Sequence, residues 1–271
     1  MSGETITSVG KGPVPANPLT IQIRVIGALL MREVLTRYGR HNLGFLWLFL
    51  EPMMFTLGVT ALWNISQSVH GSSLPITAFA VTGYSAVLLW RNMPSRCVLA
   101  ILPNLGLMYH RNVKVIDIYI ARLLLEALGA GCSFVILTLV FYSTGWMKLP
   151  EDVLQTITGW ALLAWFGFGI SLYIGALSEQ YEIVEKLWHP ISYLSFPLSG
   201  AAFIVDALPK AAQDFMLYVP MVNATEYMRE GYFGGAFKAH YDIPYLIVFN
   251  LVLTLFGLAE TRKVGRMVTP E

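Results

Sequence analysis

The charged residues of this chain are bunched, and between the bunches lie long uncharged runs. A bilayer-crossing helix needs roughly 20 mostly apolar residues, so the runs predict transmembrane helices. Residues 43–63 hold a single charge, Glu51, and residues 74–90, 127–145 and 153–178 hold none. Residues 187–205 are uncharged but contain His189, Pro190 and Pro197, and residues 243–259 form the last run. Six spans follow, and an even number places both termini on one side. Lysine and arginine placement tests this, because cytoplasmic loops collect them. With a cytoplasmic N-terminus, the inner segments take Lys11, Arg24, Arg32, Arg37, Arg40, Arg91, Arg96, Arg111, Lys114, Arg122, Lys186, Arg262, Lys263 and Arg266. Only Lys148, Lys210, Arg229 and Lys238 fall outside. A five-span reading mixes the two groups, so both termini are expected in the cytoplasm.

Three segments between or before the spans have a pattern of their own. In residues 19–40, Ile23, Ile26, Leu30 and Val34 share one helical face, while Gln22, Arg32, Glu33 and Arg40 lie opposite. That predicts an amphipathic helix lying in the membrane interface, preceded by a flexible N-terminus over residues 1–18. Residues 1–20 lack an apolar core of their own, so no cleaved signal peptide is expected. Between the second and third runs, Pro103 and Asn104 start a short helix reaching Tyr109, before the polar His110, Arg111 and Asn112. In residues 206–242, Pro209 suits the first turn of one helix, and Pro220 breaks it. Asn223 followed by Glu226 resembles the start of a second helix, ended by Gly231, Gly234 and Gly235. The density of Phe, Tyr and Met there predicts short helices that dip into the outer leaflet before the last span, as backbone at that depth must satisfy its own hydrogen bonds.

Composition adds what the pattern leaves open. The chain has 271 residues, of which 55% are hydrophobic and 13% charged, with net charge +1. Mean hydropathy is +0.58. A soluble domain carries about 25% charged residues, so the class is an all-α polytopic membrane protein. Disorder is excluded by the apolar content, and the balanced charge argues against nucleic-acid binding. Two cysteines, Cys97 and Cys132, make no disulfide scaffold and read as small core residues.

Catalytic signatures are missing. There is no phosphate-cradling G-x-x-x-x-G-K-[ST] loop, no nucleophile elbow and no paired histidines among the five, so no bound cofactor, metal site or enzymatic role is expected. Charge inside a membrane is a functional candidate by default. Glu51, next to Pro52, is the clearest case, with Arg91 or Arg96 as its partner. Arg122 and Glu126 stand four apart and suit each other. Aromatic residues are the other resource. Trp63, Trp90 and Trp188 sit at span ends and fit an interfacial belt, whereas Trp165 and Phe168 lie mid-span. Aromatic faces stack on sugar rings, so an aromatic-lined path suits a polysaccharide; helix packing is the alternative use of the same residues.

The stretch from Arg37 to Trp47, with Leu43-Gly44-Phe45-Leu46-Trp47 followed by Glu51-Pro52, resembles the first span of type-2 ABC exporter permeases. The Glu-Pro pair, Phe196-Pro197-Leu198-Ser199-Gly200, Pro209, and Asn223 to Arg229 with Glu226 are similar to the capsular-polysaccharide, KpsM-type branch. The resemblance covers the whole chain. It implies an interfacial helix over 19–40 and a six-span domain over 41–271. Within that domain it implies a coupling loop at about 95–115 and outer gate helices at about 207–235.

Such a permease works as a homodimer in the bacterial inner membrane. Each copy docks a separate ATPase that uses ATP and Mg, and a periplasmic co-polymerase and an outer-membrane export protein complete the system. The cargo is a lipid-linked acidic polysaccharide. On this reading, the substrate path draws on Arg37, Arg40, Phe45, Trp47, Glu51, Tyr84, Arg91, Arg96, Trp165, Phe168 and Tyr193, with arginine suited to phosphate and carboxylate. Coupling to the ATPase draws on Leu102, Pro103, Asn104, Leu105, Met108, Tyr109, His110, Arg111 and Asn112. The outer gate draws on Pro209, Pro220, Asn223, Glu226 and Arg229. Permeases for O-antigen, teichoic acid or small molecules are alternatives within the superfamily. A membrane-embedded transferase or protease is the alternative outside it, and it needs clustered His, Asp or Ser that the spans do not show.

Overall fold

A computed structural model describes residues 17–39, 46–66, 74–109 and 113–268. The flexible segment expected before residue 17 and the candidates Arg40, Phe45, His110, Arg111 and Asn112 lie outside the described residues. Within them every regular element is helical. The α-helices are α1 (Pro18–Tyr38), α2 (Trp47–Ser66), α3 (Ile76–Cys97), α4 (Leu105–Met108) and α5 (Val115–Ser143), then α6 (Val153–Gln180), α7 (Glu182–Leu194), α8 (Lys210–Met216), α9 (Pro220–Phe233) and α10 (Ile243–Val268).

Four of them, α2, α5, α6 and α10, are long and apolar enough to cross a membrane. Their outward faces carry exposed Leu128, Val135, Leu154, Ile157, Leu251 and Phe256, as a lipid-facing surface requires. Helix α3 differs. Its sequence includes Thr77, Thr82, Gly83, Tyr84 and Ser85, yet 17 of its 22 residues are buried, because α2, α5 and α6 all pack on it. It is a central post, so its apolar demand is met by protein and its composition relaxes.

The run 187–205 is not one continuous helix. Helix α7 is 13 residues long and stops at Leu194, and turns follow, with Gly200 at φ 76. Pro197 lacks the amide that a continuing helix would need, and a left-handed turn at Gly200 costs glycine nothing. The chain then re-enters a 3-10 turn at Val205–Ala207.

Helix α1 begins where expected, with the Asn17 side chain accepting the Leu19 amide at 3.2 Å and Pro18 in the first turn. Its polar side chains turn toward α5. Gln22 donates to Asp117, and Glu33 and Arg37 reach α5, so this polar strip faces protein. Leu19, Ile23, Met31 and Leu35 are exposed. Helix α9 begins at Pro220 rather than Asn223, and Gly231 lies inside it, with Gly234 as the cap at φ 55. Trp90 and Trp188 are buried rather than interfacial: Trp90 packs on Phe166 and Trp188 donates to Ser95 at 3.1 Å. Cys97 is a core residue, but Cys132 is exposed.

Candidate functional site

At the end of the bundle where α1 lies, three arginines meet three glutamates. Arg37 binds Glu33 at 2.8 Å and also Glu126. Arg96 reaches Glu126 at 3.1 Å and Glu51 at 3.9 Å. Arg122 lies 3.2 Å from Glu33 and donates to the Arg96 carbonyl at 2.7 Å. Arg122 and Glu126, expected to satisfy each other, are thus each claimed by other helices. Burial works against the charge on Arg37, but Glu126 and Glu33 more than offset it and leave its pKa above the ordinary value. The cluster is electrically balanced. Arg37 and Arg96 link α1, α2, α3 and α5 through these pairs.

Arg91 is placed otherwise. It makes no ion pair among the described residues; its guanidinium lies 5.8 Å from the Phe55 ring and 5.0 Å from that of Tyr193. Tyr84 packs on Phe55, Trp63 and Phe196, with ring centroids 6.0, 5.3 and 5.3 Å away. Helices α2, α3 and α7 and the turns after α7 therefore gather aromatic rings around one cation. Phe55 and Tyr193 are exposed beside it. Phe55, Trp63 and Phe196 were not among the path candidates, since nothing in their spacing distinguishes them from packing residues. Trp47 is exposed on α2. Trp165 and Phe168 lie elsewhere: Trp165 donates to Thr254 of α10 at 3.0 Å, and Phe168 packs against the main core.

The expected short helix between α3 and α5 is present as a 3-10 turn at Leu102–Asn104 leading into α4. Its base is fixed by side chains from α6 and α1. Glu179 accepts the Ile101 amide at 2.7 Å and Ser178 the Leu99 amide at 3.1 Å. Buried Asn104 donates to the Ala100 carbonyl at 2.7 Å and accepts from Arg32. Leu99 is held at φ 48, a conformation that disfavours a branched side chain. On this anchored base Leu102 and Tyr109 stand 66% and 88% exposed, an apolar and aromatic tip with no partner in the chain's core. Leu105 is half-buried and Met108 is buried beneath it.

On the other side, Asn223, Glu226 and Arg229 follow one face of α9 at helical spacing, and all three are buried. Arg229 donates to the carbonyls of Gly200, Ala201, Phe203 and Phe79 at 2.6, 2.8, 3.2 and 3.3 Å, over the Phe79 ring. Glu226 accepts the amides of Val205 and His240 at 3.5 and 3.1 Å. Asn223 donates to the Leu217 carbonyl at 2.8 Å and accepts the Asp242 amide at 2.6 Å. These residues hold the broken segment after α7 and the link into α10, so their visible role is to brace irregular backbone. Pro209 and Pro220 start α8 and α9.

The ABC-2 type transporter family matches residues 24–233, from within α1 to the end of α9. The chain belongs to the ABC-2 type transporter family. Relatives of this family member match nearly end to end. The "Capsule polysaccharide export inner-membrane protein CtrC" of Neisseria meningitidis serogroup B is 43% identical over 253 residues, 93% of this chain and 96% of the relative. BexB of Haemophilus influenzae, of the same description, is 41% identical over the same shares. The "Polysialic acid transport protein KpsM" of Escherichia coli is 29% identical over 89% of this chain and 94% of its own length. As an ABC-2 family member, the chain is a membrane protein of all-α build.

Proposed function

We propose that this chain is the membrane subunit of an ABC exporter that moves lipid-linked capsular polysaccharide across the bacterial inner membrane. The match to the capsule export relatives along 93% of the chain carries the reading. The rings around Arg91 support it: an acidic, lipid-linked sugar polymer needs a cation for its charge and flat faces for its rings. Six crossings with both termini in the cytoplasm fit the basic residues, the fifth crossing being α7 with the turns behind it. The subunit pairs with a second copy, and the exposed rings of α2 and α7 beside Arg91 line the shared path.

Energy comes from ATP and Mg at two separate ATPase subunits, seated on the exposed tip at Leu102 and Tyr109. A periplasmic co-polymerase and an outer-membrane export protein receive the polymer. The test is export in cells carrying the full transporter. Arg91→Gln lowers surface polymer severalfold while the protein still inserts and keeps its melting temperature. Arg96→Gln instead lowers the melting temperature through the ion-pair cluster. Wild-type surface polymer with Arg91→Gln would refute the Arg91 aromatic cluster as part of the path.

A further inference from the structure

An open groove of about 1390 Å³ runs between the α4 turn, the start of α5 and the last turns of α10. Met108, Val115 and Leu258 are among its apolar lining residues, and Lys114, Arg262 and Arg266 also border it. None of these three cations has an acidic partner within ion-pair distance among the described residues, whereas the nearby Lys263 is paired with Glu260 at 3.5 Å. The groove continues a longer feature. Helix α10 is a membrane-length apolar helix. Its exposed residues Val248, Leu251, Leu255, Phe256 and Leu258 form a stripe that runs into the groove at Leu258. The cations follow within two turns, at the depth where a spanning helix leaves the hydrocarbon.

We propose that this groove binds an anionic phospholipid of the adjoining leaflet, with its phosphate on Lys114, Arg262 and Arg266 and an acyl chain along Leu258 and Val115. Charge complementarity selects the occupant. Three cations over an apolar floor match a negatively charged head on a hydrocarbon tail, and long basic side chains reach to the headgroup level while their stems stay apolar. A lipid seated there touches the α4 turn and α10 together, so it stiffens the base of the turn. This site is separate from the aromatic cluster at Arg91 and does not depend on what the transporter exports.

The experiment uses the full chain purified in mild detergent and a photoactivatable phosphatidylglycerol, with photoactivatable phosphatidylcholine as the zwitterionic control. Phosphatidylglycerol is expected to crosslink to residues 105–109, 113–116 and 258–268, and the control to label them far less. Replacing Lys114, Arg262 and Arg266 by Gln one at a time weakens labelling about fivefold per charge removed. In the wild-type chain, raising salt weakens labelling as charges are screened, which keeps the test independent of how the variants fold. Equal labelling by both lipids, insensitivity to salt, or crosslinks confined to other helices would overturn the proposal. So would displacement of the lipid by added ATPase subunit with its crosslinks on the same residues, which would make the groove a protein-docking surface.

Discussion

Arg229 shows how one side chain can hold irregular backbone inside a bundle. Its guanidinium is fully buried and bonded to four carbonyls. Arg229→Met removes the donors that hold the Gly200, Ala201 and Phe203 carbonyls of the broken segment, at a cost of about 3 kcal/mol or more. Arg229→Lys recovers only part, because an ammonium lacks the planar fork. Thermal unfolding in detergent ranks the three. Gly83 tests the same spot from the other side. A Cβ there would stand 2.5 Å from an Arg229 nitrogen and 2.6 Å from the Ala201 carbonyl. Gly83→Ala is therefore expected to destabilise by about 1–3 kcal/mol despite adding one methyl group.

At the scale of elements, the α4 turn separates anchoring from contact. Asn104, Glu179 and Ser178 fix its base, whereas Tyr109 projects into solvent. Tyr109→Ala should leave the melting temperature unchanged and reduce recovery of the ATPase subunit in pull-downs of the complex; Asn104→Ala should lower both. The outer link behaves differently. Asp206 lies 2.7 Å from Lys238 and 2.8 Å from a His240 ring nitrogen, and hydrogen bonds from Lys238 and then His240 hold its carboxyl below the ordinary value. A carboxylate with a depressed folded pKa contributes stability above its unfolded pKa of about 3.9. That contribution is lost as pH falls through the lower folded value. Melting temperatures of the wild type and Asp206→Asn should therefore differ at pH 6 and converge as pH falls through the folded value.

At the scale of the molecule, the balanced cluster of Arg37, Arg96 and Arg122 with Glu33, Glu51 and Glu126 ties four helices together. Position within it decides what each residue contributes. Glu126 is one-tenth exposed and serves two arginines, while Glu51 is 60% exposed and lies 3.9 Å from Arg96. Breaking a buried ion pair on one side costs about 3–5 kcal/mol, and an exposed pair is worth about 0–1. Glu126→Ala should therefore unfold the chain far more readily than Glu51→Ala, a ranking that detergent melts measure directly.

The sequence by itself determined the class and the presence of apolar helices long enough to cross a membrane. These rest on one-dimensional properties: a run must be about as long as the bilayer is thick, and charge must stay near water. For that reason α6 and α10 start where their runs do, at Val153 and Ile243, whereas α5 begins at Val115, well before residue 127. The sequence also made the Glu51–Arg96 contact legible, since a membrane charge needs a partner. What it could not supply is which face of a helix meets which neighbour. Hydropathy cannot tell lipid from protein as an apolar solvent, so Trp90 and Trp188 looked interfacial and are buried. Helix α3 passed as an ordinary span although protein surrounds it. The polar strip of α1 reads as water-facing until α5 supplies Asp117, Arg122 and Glu126 to meet it. Only tertiary structure decided that Arg37 and Arg96 are neutralised while Arg91 stands among rings. Pairing depends on distances between residues far apart in the chain, and no periodicity encodes those.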